Sequence, residues 1–381
     1  MDFAEREELR PKGNVPNLRF PEFQGEWQEH KLEDITAEIG DGIHATPIYD
    51  DNGTYYFVNG NNISEYGIII TATTQKVTEE EALRNNASAL NSYSILLSIN
   101  GTVGNVALYK NESIMLGKSA CYINVSSNIN RNYIFYYLMM PKCQFYFTSE
   151  LTGTTIKNLS LKSIRKTKVL LPNANEQSKI ARLFDAINER IETQNKIIDK
   201  LQSLIKGIAQ KIVRNNKPNV RLAECLECKS STLQESEVCE QGTYPVYGAN
   251  GIVGYLDNYS TEGEAVYIIK DGSGVGTVSY VTGKCSASGT LNTLQANEGY
   301  SLQYFYYLLK VFNFEPYKTG MAIPHIYFKD YGKAKVFCPS YTEQLQYARL
   351  LSVIDNKLSI EQNILTELSL QKQYLLRQMF I

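Results

Sequence analysis

Four cysteines in the second half of the chain are the side chains most able to do chemistry. Cys225 and Cys228 form a Cys-x-x-Cys pair, Cys239 follows eleven residues later, and Cys285 is a candidate fourth ligand. Thiolates at such spacings bind structural zinc. The second Cys-x-x-Cys pair of a zinc ribbon is missing, so we expect no metal and prefer reduced, partly buried thiols.

Other catalytic motifs are weaker still. The glycine-rich segment Gly272–Gly276 lacks the GxxxxGK[ST] pattern of a phosphate loop and no long helix follows it, so we predict a turn between strands. The sequence has no Asn-Pro-Pro-Tyr type motif of a base-flipping amino-methyltransferase. His30, His44 and His325 stand in separate contexts. We therefore expect no His-based catalytic site.

Two basic clusters give the strongest polar signal. One comprises Lys157, Lys162, Arg165, Lys166 and Lys168 with no acid among them, and the other comprises Lys329, Lys333 and Lys335 with Asp330 inserted. Such strips hold a DNA duplex by its phosphates without recognising sequence. Taken alone, the clusters are explained more simply as solvated strand faces.

The composition excludes a strongly basic protein. The formal charge is −2 over 381 residues, so any nucleic-acid binding must depend on local patches. The 27 tyrosines, against 14 phenylalanines, indicate either binding surfaces or half-exposed strands. Seven cysteines and no apolar run of about 18 residues predict a reduced, cytoplasmic protein with no membrane partner.

Two long helices are expected to position these residues. From Glu176 to Arg214, apolar residues recur at alternating spacings of four and three, as in a coiled-coil seam that only Gln194 interrupts. The pattern recurs 167 residues later in Glu343–Phe380, where Glu361 takes the place of Gln194. Two matched seams in one chain predict that the helices pack on each other.

The globular segments are duplicated as well. Gly153–Leu183 aligns without gaps with Gly320–Leu350, while the segments before them diverge. Even there, the turn at Asn100 echoes the turn at Asp271. The chain is therefore a tandem repeat of a globule and a long helix, with a common frame and different loops. This is the pattern of one scaffold directed at two targets.

We predict five parts for the chain. They are an N-terminal arm (1–30), a first globular domain (31–172), a central helix (173–216), a second globular domain (217–339) and a C-terminal helix (340–381). Short β-like runs such as Tyr55–Val58 and Ala265–Ile269 lie between turn signals, and a helix is expected over Asn132–Met140.

This arrangement resembles the specificity subunits of type I restriction-modification systems over nearly the whole chain. The junctions carry the resemblance: Gly153–Leu159 leads to Leu171-Pro172 and Glu176-Gln177, and Gly320–Ile326 leads to Cys338-Pro339 and Glu343-Gln344. Tyr244–Gly251 also looks like a common variant in that family. Each motif alone is weakly specific, but the duplicated set in this order is a strong signal.

The resemblance implies an α+β fold with two globular α/β target recognition domains in tandem. Two long helices would separate and join them as an antiparallel coiled coil with pseudo-two-fold symmetry, in which Gln194 and Glu361 would meet and fix the register. Each domain would recognise one half of a split, asymmetric site on double-stranded DNA, and the coiled coil would dock two methyltransferase subunits.

The resemblance also implies that this subunit is non-catalytic and holds no cofactor. S-adenosylmethionine would belong to the methyltransferase partners, and ATP and Mg to a restriction and translocase subunit where one joins. Two other classes of protein stay open: an enzyme with an unrecognised active site, and a coiled-coil scaffold that binds no DNA.

DNA-contacting residues are expected among hydrogen-bonding side chains in turns and in the basic clusters. In the first domain the candidates are His44, Thr46, Asn59, Asn61, Asn100, Thr154, Thr155, Lys157, Asn158, Lys162 and Lys166. In the second they are Tyr247, Asn250, Lys270, Asp271, Ser288, Asn292, His325, Lys329 and Lys333. Two interpretations fit Glu176, Gln177, Glu343 and Gln344, helix starts or partner contacts, and we prefer capping of the long helices.

Overall fold

The computed structural model describes residues 13–153, 157–320 and 323–381. The chain forms two compact units: unit 1 is the chain up to Gln194 together with Ile364–Ile381, and unit 2 is Asn195–Asn363. Both boundaries fall inside long helices, whereas the five predicted parts follow the sequence repeat; those part boundaries stay predictions. In the described residues, no helix is long and apolar enough to cross a membrane.

Unit 1 combines short strands with short helices. The strands are β1 (Gln28–Lys31), β2 (Thr36–Asp41), β3 (Tyr55–Val58), β4 (Ile63–Ser64), β5 (Gly67–Ile68), β6 (Lys76–Val77), β7 (Ser94–Ser98), β8 (Val106–Leu108), β9 (Ile114–Leu116), β10 (Ala120–Val125) and β11 (Lys168–Leu171). The helices are α1 (Glu79–Arg84), α2 (Arg131–Met139), α3 (Pro141–Ser149) and α4 (Leu161–Arg165).

The centre of unit 1 is an antiparallel sheet of order β2-β10-β7-β8. All residues of β7 and β10 are buried because both faces of the sheet are covered. Ile95 and Leu97 face the core formed with α2 and the long helices, while Leu96 faces a second core shared with β3 and β9. Successive strand residues point to opposite faces, which explains this uninterrupted apolar run. Strand β3 pairs with β9 in parallel and with β6 antiparallel.

Unit 2 repeats this plan. Its strands are β12 (Val220–Arg221), β13 (Leu226–Ser230), β14 (Tyr244–Gly248), β15 (Gly251–Leu256), β16 (Ala265–Ile269), β17 (Val278–Val281), β18 (Ser286–Ala287), β19 (Leu291–Ala296) and β20 (Lys335–Val336), and its short helices are α6 (Leu222–Cys225), α7 (Leu302–Leu309) and α8 (Phe328–Tyr331). The main sheet has the order β13-β19-β16-β17, and β14 pairs with β18 in parallel. The diverged globules therefore keep one topology.

The two long helices are α5 (Ala174–Arg214) and α9 (Tyr341–Gln378), each within two residues of its predicted bounds. In unit 1, Phe184 of α5 lies 5.6 Å, ring to ring, from Phe380, just beyond the end of α9. In unit 2, Ile205 in the C-terminal part of α5 lines the same cavity as Leu358 in the middle of α9. The helices are therefore antiparallel, as predicted.

The predicted seam residues of both helices are buried or half-buried. Gln194 and Glu361 are buried too, at 8% and 6% exposure. Since these two residues belong to different units, their predicted approach stays a prediction. Strands β3 and β16 match the predicted bounds, and α2 begins one residue before the predicted helix.

The helix starts differ in part from the capping prediction. Glu343 does accept hydrogen bonds at the start of α9, from the backbone N–H of Ser340 at 3.1 Å and from its hydroxyl at 2.6 Å. Glu176 does not cap α5: its carboxylate accepts hydrogen bonds from the Arg19 guanidinium at 2.7 and 2.8 Å, and Asn173 Oδ1 accepts from the N–H of Glu176 instead.

The capping prediction was also wrong for Gln177 and Gln344. Both side chains are buried and bond to the backbone of neighbouring elements. The sequence repeat had indicated their equivalence, but one partner of each, Asn130 for Gln177 and Ser301 for Gln344, lies far away in the sequence.

Candidate nucleic-acid interface

In unit 1, Asn158 is held between two extended segments. Its N–H donates to the Thr152 carbonyl at 2.9 Å, its carbonyl accepts from the Thr152 N–H at 3.0 Å, and it forms a second β-bridge to Asn100 in the turn after β7. Gly153 has φ +93°, the left-handed region that glycine adopts without strain, so the chain can reverse here. The structure therefore brings the candidates Asn100 and Asn158 together, just before α4.

Two more candidates lie on the same edge of unit 1. Asn59 Oδ1 accepts a hydrogen bond from the Ser119 hydroxyl at 3.0 Å, and the hydroxyl oxygen accepts from the Gly60 N–H at 2.8 Å. A Cβ placed on Gly60 would lie 3.1 Å from the Asn100 carbonyl oxygen, so the two turns touch. Asn61 is exposed in the same turn.

The loop after β2 extends this edge. Ile43 bridges Gly117, in the turn that leads to Ser119. His44 is exposed, with Nε2 at 2.8 Å from Asp41 Oδ2. Thr46 is exposed further along the loop. The described candidates from four separate stretches of sequence thus form one polar edge of unit 1.

The basic cluster of unit 1 is not a strand face, which corrects the simpler interpretation of the sequence. Lys157, Lys162 and Lys166 are exposed around α4. Arg165 donates to a carbonyl of β2 at 2.7 Å, and Lys168 of β11 pairs with a glutamate of β1 at 2.8 Å. Three lysines beside the polar edge are therefore available to a phosphate backbone.

Sequence reasoning missed Lys118. It is exposed in the turn between β9 and β10, next to Ser119. The available signal was a Gly-Lys-Ser turn between two apolar runs. The candidates Thr154 and Thr155 lie outside the described residues.

In unit 2, His325 takes the place of Asn158. Its N–H and carbonyl both bond to the Thr319 backbone at 2.8 Å, and it bridges Asp271 in the turn after β16. Gly320 has φ +87° and reverses the chain as Gly153 does in unit 1. The candidates Asp271 and His325 are thus in contact, and the carboxylate meets the imidazole Nδ1.

Two further candidates of unit 2, Lys270 and Asn292, belong to a polar cluster beside this turn. Lys270 Nζ donates to the Ser230 hydroxyl at 2.7 Å and to the Ser231 carbonyl at 3.2 Å, and Ser230 donates to Asn292 Oδ1 at 2.9 Å. Burial lowers the pKa of Lys270. Asn292 and Ser288 are buried, at 4% and 0% exposure, so they support the surface rather than extend from it.

The remaining candidates of unit 2 are spread over the same globule. Tyr247 is half-buried on β14, and Asn250 is exposed in the turn to β15. Lys329 Nζ lies 5.0 Å from the centre of the Tyr327 ring, and Lys333 is exposed after α8. Helix α8 corresponds to α4, so each bridged loop is followed by a short helix with exposed lysines.

The four cysteines have separate partners. Cys225 donates to a backbone carbonyl at 3.4 Å, Cys285 lies 3.2 Å from a tyrosine hydroxyl, and Cys239 is exposed. Burial raises the pKa of Cys228 to about 11, which disfavours the thiolate that binds metals. Among the described residues, no group of three His, Cys, Asp or Glu side chains is arranged to hold a metal ion.

Known proteins share both the sequence pattern and the fold. A family model described as "Type I restriction modification DNA specificity domain" matches residues 24–203 and 216–370. A protein of Mycoplasma genitalium named as a type I specificity subunit is 24% identical over 311 residues, 75% of this chain and 80% of that protein. One of Mycoplasma pneumoniae is 26% identical over 291 residues, 70% of this chain and 76% of that protein.

A solved structure extends the likeness to the whole fold. The crystal structure of a type I restriction-modification S subunit from M. genitalium covers 96% of this chain and 99% of that chain, with a TM-score of 0.66 and 20% sequence identity. At this identity the likeness concerns the fold, with its two globules and long helices.

Proposed function

The chain belongs to the family of type I restriction-modification DNA specificity subunits, and from this premise we propose that each unit recognises one half of a bipartite, asymmetric DNA site. As a member of this family, it is the non-catalytic DNA-recognition component of a complex with other restriction-modification subunits.

One observation carries the proposal. The same backbone bridge occurs in both units, but it presents Asn100 and Asn158 in unit 1 and Asp271 and His325 in unit 2. Base recognition depends on the side-chain donors and acceptors that a fixed backbone presents to the groove. Two identical frames with different side chains are suited to two different half-sites, whereas two identical domains would favour a palindrome.

The lysines around each bridge are proposed to hold the phosphates. Lys157, Lys162 and Lys166 flank the bridge of unit 1, and Lys329 and Lys333 flank that of unit 2. Phosphate contacts position a duplex without recognising its sequence. Local lysines of this kind reconcile DNA binding with a formal charge of −2 for the chain.

The long helices are proposed to dock two methyltransferase subunits. Apolar side chains of α9 are exposed, among them Leu350, Val353 and Ile360 in unit 2 and Leu370 and Tyr374 in unit 1. Clustered exposed apolar side chains mark protein contacts. In the proposed complex, these partners hold S-adenosylmethionine and a further restriction subunit uses ATP and Mg, in the cytoplasm, while this chain needs no cofactor.

The helix length is proposed to set the spacer of the DNA site. The 38 residues of α9 extend over about 57 Å at about 1.5 Å per residue. A rigid connection of this length holds two recognition surfaces on separate stretches of one duplex, so the number of base pairs between the half-sites would follow from it.

Methylome sequencing tests the proposal. Cells expressing this chain with its methyltransferase partners should carry methylation in one bipartite, asymmetric sequence. Exchanging residues 31–172 for another recognition domain should change one half-site and leave the other. An unchanged methylated sequence after the exchange would favour a scaffold that binds no DNA, and methyl transfer by the purified chain alone would favour an enzyme.

A further inference from the structure

His325 marks the greatest chemical difference between the two bridged loops. At the corresponding place unit 1 has the neutral amide of Asn158, whereas unit 2 has an imidazole whose Nδ1 contacts the Asp271 carboxylate. The His325 and Asp271 side chains are 26% and 32% exposed, so the pair is partly shielded from water yet reaches the surface. The Tyr327 ring packs edge-on against the imidazole, 4.1 Å between centroids.

The neighbouring cations have other contacts. Lys270 Nζ donates to Ser230 and Ser231. Lys329 Nζ lies over the Tyr327 ring, 5.0 Å from its centroid. The Asp271 carboxylate is therefore the charged group that orients the imidazole.

The carboxylate determines which nitrogen of His325 carries the proton. An ionised carboxylate accepts hydrogen bonds but donates none, so the nitrogen that faces Asp271 must be the N–H. In the neutral ring, Nε2 then presents a lone pair. In the major groove, the exocyclic amino groups of adenine and cytosine are donors that match it, whereas the carbonyl oxygens of guanine and thymine are not.

Building on the DNA-recognition function proposed above, we propose that His325 contacts a base in the half-site of unit 2. Its Nε2 accepts a hydrogen bond from the amino group of an adenine or a cytosine. Asp271 is a positioning residue, because it fixes the ring orientation and the tautomer without touching the base. In unit 1, the Asn158 amide occupies the position equivalent to His325 and offers both a hydrogen-bond donor and an acceptor.

Binding of the assembled complex to DNA with one half-site randomised tests the proposal. H325F should lower discrimination at one base pair of the half-site of unit 2 on the order of 10- to 100-fold and leave the other half-site unchanged. D271A should weaken discrimination at the same base pair. D271N should restore it, because an amide oxygen still accepts from Nδ1–H. N158A is the matched control and should alter only the half-site of unit 1.

The amino group itself can then be removed from the DNA. At the base pair that H325F affects, adenine is replaced by purine, or cytosine by pyrimidin-2-one. Each replacement should weaken DNA binding of the unaltered complex about as much as H325F does. The same replacement should have little added effect on DNA binding of the H325F complex. The proposal is wrong if the base analogue does not weaken DNA binding of the unaltered complex. It is wrong too if the analogue weakens binding of the H325F complex as much as that of the unaltered complex. It is also wrong if H325F keeps full discrimination at every position.

Two controls separate this proposal from its premise. H325N introduces the residue that unit 1 carries on the same backbone, so it should fold and shift the preferred base even where H325F disturbs folding. Exchanging residues 217–339 for another domain tests the premise: if the recognised sequence does not change, the DNA-recognition role of unit 2 is wrong. If the exchange changes one half-site but neither His325 variant does, only the role of His325 is wrong.

Discussion

Gln177 Oε1 accepts a hydrogen bond from the backbone N–H of Asn130 at 3.1 Å, while its Nε2 donates to the Pro172 carbonyl at 2.8 Å. Gln344 makes the same two hydrogen bonds in unit 2, at 2.8 and 3.0 Å. Each glutamine thereby joins a long helix to the N-cap residue of a short Tyr-rich helix and to the proline that precedes the long helix. Each globule is fixed to the helix that follows it.

Replacing either glutamine should destabilise its own unit. Q177A and Q344A each leave one buried and one partly buried backbone group without these partners, so we expect a loss of about 1–3 kcal/mol in the free energy of unfolding. Urea unfolding followed by circular dichroism measures it. Q346A, at an exposed position of α9, is the control and should change stability by about 0.5 kcal/mol or less. Equal effects of all three variants would contradict the joining role.

The buried ion pair between Arg19 and Glu176 should contribute more to the free energy of unfolding than the exposed pair between Lys179 and Glu22. The Glu176 side chain is fully buried and that of Arg19 is 13% exposed, so R19A leaves a buried carboxylate without its cation and should cost about 3 kcal/mol or more. R19A/E176Q should recover part of this loss in the same unfolding measurement. K179A breaks the exposed pair with Glu22 and should cost about 1 kcal/mol at most.

The lysines beside each bridge should contribute affinity without specificity. K162A/K166A should weaken binding of the complex to all DNA sequences and reduce the slope of log affinity against log salt by about 0.9 for each phosphate that the variant no longer neutralises. Lys110 is exposed beyond β8, at the opposite end of the sheet from Asn100. K110A should therefore leave the slope unchanged. A change in the preferred bases caused by K162A/K166A would contradict a phosphate-only role.

The spacer of the DNA site should follow helix length. Inserting four residues after Gln194 and four after Asn363, the boundaries of the two units, adds about one helical turn near 5.4 Å to each helix. At about 3.4 Å per base pair, the tolerated spacer should grow by one or two base pairs. Methylome sequencing measures the spacer. The same insertion in the turn at Gly283 should not change it, and an unchanged spacer in the helix variant would refute the idea.

The sequence by itself determined the repeated plan of this protein. Periodic and local patterns predicted this plan: the seam of α5, the strand Ala265–Ile269, and the gapless alignment of Gly153–Leu183 with Gly320–Leu350. Each of these patterns can be recognised within a short stretch of sequence. The same is true of the junction glycines, whose positive φ values belong to tight reversals of the chain.

Only the tertiary structure decided which side chains meet. Asn59 accepts a hydrogen bond from Ser119, and Glu176 accepts one from Arg19. Lys118 lies at the polar edge of unit 1 because distant segments pair there. The sequence predicted capping for Glu176 because an acid in a first helical turn is favourable in isolation. Packing brought a cation to the same carboxylate, and a buried charge is stable only with such a partner. Side-chain partners depend on the folded positions of remote residues, which no local pattern specifies.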